Sequence, residues 1–237
     1  MSGESPGAWG RDKSMTHILV TFAFMLGAFL WGGIPVGYIG VKRLKGIDIR
    51  SYGSGNIGAT NVRRVLGNGG FFAVLALDAV KGALPVLALG LSPGLDGPER
   101  ILIAASTIAG NLFSPWLGLK GGKGISTSLG ALLALAPVPV LASTLVFAAT
   151  LLVLNYMSIA CLAGSIVLPI AIFTAESIRG IRHDTALLLF SVVLASALAV
   201  TERANIARVR RGTEPGFFAH RACRSPGFTS HQDHRCP

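Results

Sequence analysis

Apolar runs long enough to cross a bilayer recur along the chain, at residues 18–41, 71–91, 101–117, 125–154, 158–175 and 185–200. Hydrophobic residues make up 51% of the 237 positions and charged residues 14%, and the mean hydropathy is +0.60. That balance excludes an ordinary water-soluble domain. Inside hydrocarbon each backbone N–H and C=O must find a partner within its own segment, so runs of this kind are expected to be helices. The expected architecture is an all-α integral membrane protein. A polar lead at 1–16 precedes one membrane domain at 17–214, and a disordered basic tail follows at 215–237.

The number of spans turns on the run 125–154, which carries Pro137 and Pro139 near its middle. Left whole, it places the two basic regions on opposite faces of the membrane. Broken near Pro137, it gives about seven transmembrane helices joined by short glycine-rich loops, and every polar loop then shares one face. Lys42, Arg43, Lys45, Arg50, Arg63 and Arg64, with the arginines after Ala199, mark that face as cytoplasmic. The N-terminus is then outside and the C-terminus in the cytoplasm. The formal charge of +10 accordingly reads as membrane flanks, and no nucleic-acid partner is expected.

Cysteine and histidine add no chemistry. Cys161 lies in an apolar run and reads as packing, while Cys223, His231, His234 and Cys236 lie in the tail without zinc-module spacing, so no metal is expected. His17 and His183 sit at span edges, His220 is in the tail, and no Ser-His-Asp or Cys-His arrangement emerges.

Two polar loops do carry chemistry. Gly53, Gly55 and Gly58 match G-x-G-x-x-G, and Asp78 follows 20 residues after Gly58, but Asp78 lies inside an apolar run and no strand-helix alternation surrounds the glycines. A dinucleotide site is therefore rejected. The segment can be a plain glycine turn, or a nest of backbone N–H groups for an oxyanion, with Ser54, Asn56, Thr60 and Asn61 as added donors. Arg63 and Arg64 either supply phosphate contacts or simply mark the inner face. The second loop, Lys120, Gly121, Gly122, Lys123 and Gly124, lacks the nucleoside-triphosphate signature. It still combines cations and glycines with Ser126 and Thr127 at the start of the next helix, where open N–H groups favour an anion. Asp78 and Lys81 stand three apart on one helix face, as either a functional intramembrane pair or a structural one.

The runs Gly53 through Gly67, Asp78 to Gly82, Phe113 through Thr127, and Arg203 to Ile206 followed by Gly212-Thr213-Glu214 occur in the order found in the bacterial acyl-phosphate:glycerol-3-phosphate acyltransferase family. The chain resembles that family over roughly residues 30–214. The resemblance implies a seven-helix bacterial inner-membrane enzyme of lipid biosynthesis. It would move a fatty acyl group from acyl phosphate to the 1-hydroxyl of glycerol 3-phosphate, giving lysophosphatidic acid and phosphate, with no cofactor. Its phosphate loop maps to Gly53–Asn61, and the Lys-Gly-Gly-Lys-Gly loop to Lys120–Gly124. Its Asp and Lys map to Asp78 and Lys81, and its late Asn and Glu to Asn205 and Glu214. The chain departs from the family where Gly33 replaces serine, Asn111 histidine, Asn155 arginine and Glu202 histidine.

On this reading Asp78, Lys81, Asn111 and Lys123 are the catalytic candidates, with Lys123 a cationic anchor. Arg203, Asn205 and Arg50 are expected to hold glycerol 3-phosphate, the two loops to hold the phosphates in an order left open, and Glu214 to lie nearby. The proton acceptor is unassigned among Asp78, Glu202 and the substrate phosphate. The expected partners are the two substrates and membrane lipids, and the protein is expected to be a monomer. The alternatives are an organophosphate or anion transporter and a catalytically silent acyltransferase-like protein.

Overall fold

The computed structural model describes residues 8–90, 97–180 and 184–218, with side chains from residue 15 onward. The start of the polar lead, His183 and the tail from residue 219, with its cysteines and histidines, lie outside the described residues. The helices are α1 (Ala8–Gly32), α2 (Val36–Lys45), α3 (Ala59–Leu89), α4 (Pro98–Leu112), α5 (Ile125–Leu135), α6 (Pro137–Leu154), α7 (Met157–Ile178) and α8 (Thr185–Arg210). Short 3-10 turns occupy Ile49–Ser51 and Pro115–Leu117, and there is no strand among the described residues.

The run 125–154 is broken where its prolines indicate. Ala136 leaves the helical region at φ −144° and ψ 72°, and Pro137 opens α6 at a position whose N–H would lack an intrahelical partner anyway. Other boundaries differ from the apolar runs. The first run is two helices, because Pro35 pushes Ile34 out of helical geometry and α1 stops at Gly32. The polar stretch 42–70 is partly helical, since α2 reaches Lys45 and α3 begins at Ala59, with a kink at Gly67. The run 101–117 ends as a helix at Leu112, and α8 continues well past Val200 to Arg210.

With the ten-residue α2 set aside, seven helices remain among the described residues, from 11 residues in α5 to 31 in α3. Among the described residues, five stretches are long and apolar enough to cross a membrane: Met15–Lys45, Ala59–Leu89, Pro137–Leu154, Met157–Ile178 and Thr185–Arg210. Leu145, Val153 and Ile178 on their outer faces are more than two-thirds exposed, as side chains facing lipid would be.

The principal pairings are α1 with α4, α3 with α5, α6 with α7, and α7 with α8. Small residues set the closest of them. A methyl group at Gly130 of α5 would overlap the Ala79 carbonyl of α3, and one at Gly82 of α3 would overlap the Thr127 carbonyl of α5. Reciprocal glycines of this kind let backbones touch where lipid gives helices little hydrophobic reason to associate. Val86, Ile103, Ala131 and Leu168 fill the centre, while Val41, Ile49, Val62 and Phe71 form a second core beneath the polar loops.

Candidate active site

The beginnings of α2, α3 and α5 meet at one cleft of about 950 Å³, its open mouth included. Gly58 caps α3 and Gly124 caps α5, neither with a side-chain bond to the helix, and both glycines and the first turns behind them line the cleft. Each helix start leaves N–H groups without intrahelical acceptors and carries partial positive charge, so the cleft is electrostatically prepared for an anion. Thr127 is 1% exposed at this wall, and its hydroxyl has no protein partner. Phe71, Leu75, Phe147 and Met157 give the same cleft an apolar side.

Asn61 builds the first loop. Its amide donates to the carbonyls of Tyr52 at 2.9 Å, Asn56 at 2.8 Å and Ile49 at 3.2 Å, and its Oδ1 accepts the Ser54 N–H at 3.0 Å. The expected substrate donor is thus committed to the loop backbone. Gly53 turns with φ 58°, and a methyl group there would strike Asn61 Oδ1. Asn56 Oδ1 accepts the Gly58 N–H at 2.8 Å, which sets the entry into α3. Ser54, Asn56, Gly58, Thr60 and Asn61 line the cleft, whereas Gly55 turns away with its N–H on the Tyr52 carbonyl.

The second loop lies along the end of α4. Gly121 donates to the Leu112 carbonyl at 3.0 Å and Gly122 to the Asn111 carbonyl at 2.9 Å, leaving no room for a side chain at Gly121. Gly122, Lys123, Gly124, Ser126, Thr127 and Asn111 reach the cleft; Lys120 and Gly121 do not. Lys123 Nζ lies 2.9 and 2.8 Å from the two carboxylate oxygens of Glu202, a residue 2% exposed on α8. Glu202 Oε2 also accepts from Asn205, Asn205 Oδ1 accepts from Arg208, and Arg208 pairs with Glu214. All of these groups line the cleft.

Beyond Gly55, Lys120 and Gly121, three more expected site residues lie elsewhere. Arg203 faces a separate groove with Arg210 and Arg211, because α8 stays helical and turns residue 203 about 100° from residue 202. Arg50 is held by Asp48, its Nη2 2.6 Å from Oδ2, and these bonds keep the Asp48 carboxyl down at about 2. Lys81 is 3% exposed and donates to the Ile34 carbonyl at 2.9 Å, at the α1–α2 break. Its ammonium is also 2.8 Å from Asp78 Oδ1, an ion contact outside hydrogen-bond geometry, and of the two only Asp78 lines the cleft. Ser114 and Trp116 take the Gly33 and Leu30 carbonyls of the same break.

Arg208 was not singled out by the sequence reading, although it follows Glu202 and Asn205 at helical spacing once α8 is continued. Arg64 also lines the cleft. Its neighbour Arg63 instead stacks on Phe217, 4.0 Å from the ring centroid, and donates to the Phe217 carbonyl. Phe217 and Phe218, assigned to the tail, donate their N–H groups to Asn155, which caps α6 with φ 61°.

A helical bundle that joins an anion cradle to an apolar wall defines an integral membrane protein built for an amphipathic, anionic molecule. Residues 22–212 match the family described as glycerol-3-phosphate acyltransferase. The chain belongs to that family. It is 41% identical to the glycerol-3-phosphate acyltransferase of Myxococcus xanthus, covering 84% of this chain and 100% of the relative. It is 40% identical to that of Desulforamulus reducens, covering 84% and 96%. The crystal structure of PlsY (YgiH), an integral membrane glycerol 3-phosphate acyltransferase, in its glycerol 3-phosphate form superposes with a TM-score of 0.76 at 32% identity, covering 83% of this chain and 95% of that one. Its lysophosphatidic acid form gives 0.74 at 31%, with the same coverage.

Proposed function

We propose that the protein transfers a fatty acyl group from acyl phosphate to the 1-hydroxyl of glycerol 3-phosphate, releasing phosphate and lysophosphatidic acid. The observation that carries this reading is the convergence of two glycine-capped helix starts, at Gly58 and Gly124, on a cleft whose other side is Phe71, Leu75, Phe147 and Met157. One cleft thereby suits a phosphate at one end and an acyl chain at the other.

An acyl phosphate is already activated, so the site works by placing the reactants and stabilising charge. The glycerol hydroxyl attacks the acyl carbonyl carbon, a new ester C–O bond forms, and the bond to phosphate oxygen breaks. Open N–H groups at Ala59, Thr60, Ile125 and Ser126 stabilise the phosphate oxygens, with Lys123 and Arg64 as cations and the Asn111 amide beside them. Asp78 is engaged by Lys81, and Glu202 keeps the Asn205 amide when Lys123 turns to phosphate. The departing phosphate gains basicity as its bond to the acyl group breaks and lies beside the attacking hydroxyl, so it takes the hydroxyl proton. Asn205, as expected from sequence, and Arg208, in place of Arg203 and Arg50, hold the glycerol 3-phosphate end.

The protein works in the bacterial inner membrane with its N-terminus outside and its C-terminus in the cytoplasm. Cysteines introduced at the exposed Lys120 and Arg210 should then label from the cytoplasm and one at Gly97 from outside. Purified protein given palmitoyl phosphate and glycerol 3-phosphate should release phosphate and lysophosphatidic acid in equal amounts. Phosphate release without the lipid product overturns the acyl-transfer reading.

A further inference from the structure

The cleft prepared for phosphate already contains its own anions. Arg64, Lys123 and Arg208 line it together with Asp78, Glu202 and Glu214, so its formal charges cancel. Glu202 is the most deeply placed of these carboxylates, at 2% exposure, and both of its oxygens are in use. Lys123 donates to Oε1 at 2.9 Å and to Oε2 at 2.8 Å, and Asn205 donates to Oε2 at 2.5 Å. These are the donors an incoming phosphate needs, and they are turned toward a side chain. The buried hydroxyl of Thr127, on the same wall, has no acceptor.

We infer that Glu202 is the resident anion of the cleft: its carboxylate occupies Lys123 until a substrate phosphate displaces it, and reclaims Lys123 as phosphate leaves. This deepens the acyl-transfer reading, because it requires that the cleft receive phosphate. A carboxylate and a phosphate dianion beside one ammonium repel each other strongly where water is scarce. Glu202 therefore lowers phosphate affinity and speeds its release. During the exchange Glu202 keeps its bond to Asn205, so the carboxylate is never left without a donor. Glu202 acts on affinity through Lys123, and nothing is covalently made or broken.

The test is binding of inorganic phosphate to the full-length protein in detergent micelles, for wild type, Glu202→Gln and Glu202→Asp. Glu202→Gln removes the competing charge and should tighten phosphate binding by about tenfold or more, with a matching fall in the phosphate concentration that inhibits turnover. Glu202→Asp keeps the charge and should stay closer to wild type. Equal or weaker phosphate binding by a folded Glu202→Gln protein overturns the inference. If that variant does not fold, infrared difference spectra of the wild type decide. Phosphate addition should shift a carboxylate band that Glu202→Asp moves, and an unperturbed carboxylate region at saturating phosphate overturns the inference. Wild-type protein that binds phosphate but makes no lysophosphatidic acid sinks the acyl-transfer reading while leaving the exchange at Lys123 standing. Active protein with no gain in Glu202→Gln sinks the exchange alone.

Discussion

Lys81, in the middle of α3, donates to the main-chain carbonyl of Ile34, 47 positions earlier, at 2.9 Å. The lysine pins the break between α1 and α2 and, at 2.8 Å from Asp78, fixes a carboxylate of the cleft wall. Lys81→Met should cost about 3–5 kcal/mol, the usual penalty for leaving one member of a buried pair alone. Adding Asp78→Asn should return much of that stability without restoring full activity. Unfolding followed by denaturant in detergent measures both, and an unchanged midpoint in Lys81→Met removes the pin.

Lys123 lies on a loop, where a paired cation is ordinarily removed at little structural cost. Its partner is a buried glutamate, so Lys123→Ala should lose stability as well as acyl transfer. The loss should fall below about 3 kcal/mol, since a quarter of the Lys123 side chain reaches solvent. Pairing it with Glu202→Gln should recover the midpoint but leave turnover reduced by at least about a hundredfold, the scale on which single electrostatic groups act in such sites. Near-wild-type turnover in the double variant would exclude Lys123 from the chemistry.

Gly130→Ala drives a methyl group into the Ala79 carbonyl. Overpacking of this kind typically costs about 1–3 kcal/mol. The expected signature is a lower thermal midpoint together with weaker phosphate binding, because α5 carries Gly124 and Thr127 to the cleft.

Strong acid should loosen the exposed loop between α2 and α3. The bonds from Arg50 hold the Asp48 carboxyl at about 2, below its ordinary 3.8. A carboxyl depressed on folding contributes stability above the unfolded value, and that contribution fades as pH falls from about 4 toward 2. An NMR titration of the Asp48 side chain should show a midpoint near 2 in the wild type and a higher one in Arg50→Gln, short of the ordinary 3.8 because the residue-50 N–H still donates to Oδ1. Identical midpoints would rule out the pairing.

Local features were legible in the sequence. The prolines at 137 and 139 announced the gap between α5 and α6, and the glycines from 53 to 58 announced a tight turn, though not the helix that opens at Ala59. The spacing of Asp78 and Lys81 announced their pairing. What stayed hidden depends on distant parts of the chain. No nearby residue shows that Lys81, Ser114 and Trp116 collect the carbonyls of an interrupted first run. The end of α8 was misplaced because apolarity fades at Val200 while helical geometry does not. With α8 continued, Arg208 shares the cleft face with Glu202 and Asn205, while Arg203 lines a separate groove. Asn61 illustrates another limit, since sequence shows an amide without showing whether substrate or backbone receives its bonds.

The cleft draws on residues from Pro35, just before the second helix, to Glu214 beyond the eighth, and Phe217 is clasped between Arg63 and Asn155. A ribosome making this chain therefore finishes the glycine loops long before their facing wall exists. No nascent intermediate has a complete cleft, which is assembled only after α8 has been inserted and the segment behind it has reached Arg63 and Asn155.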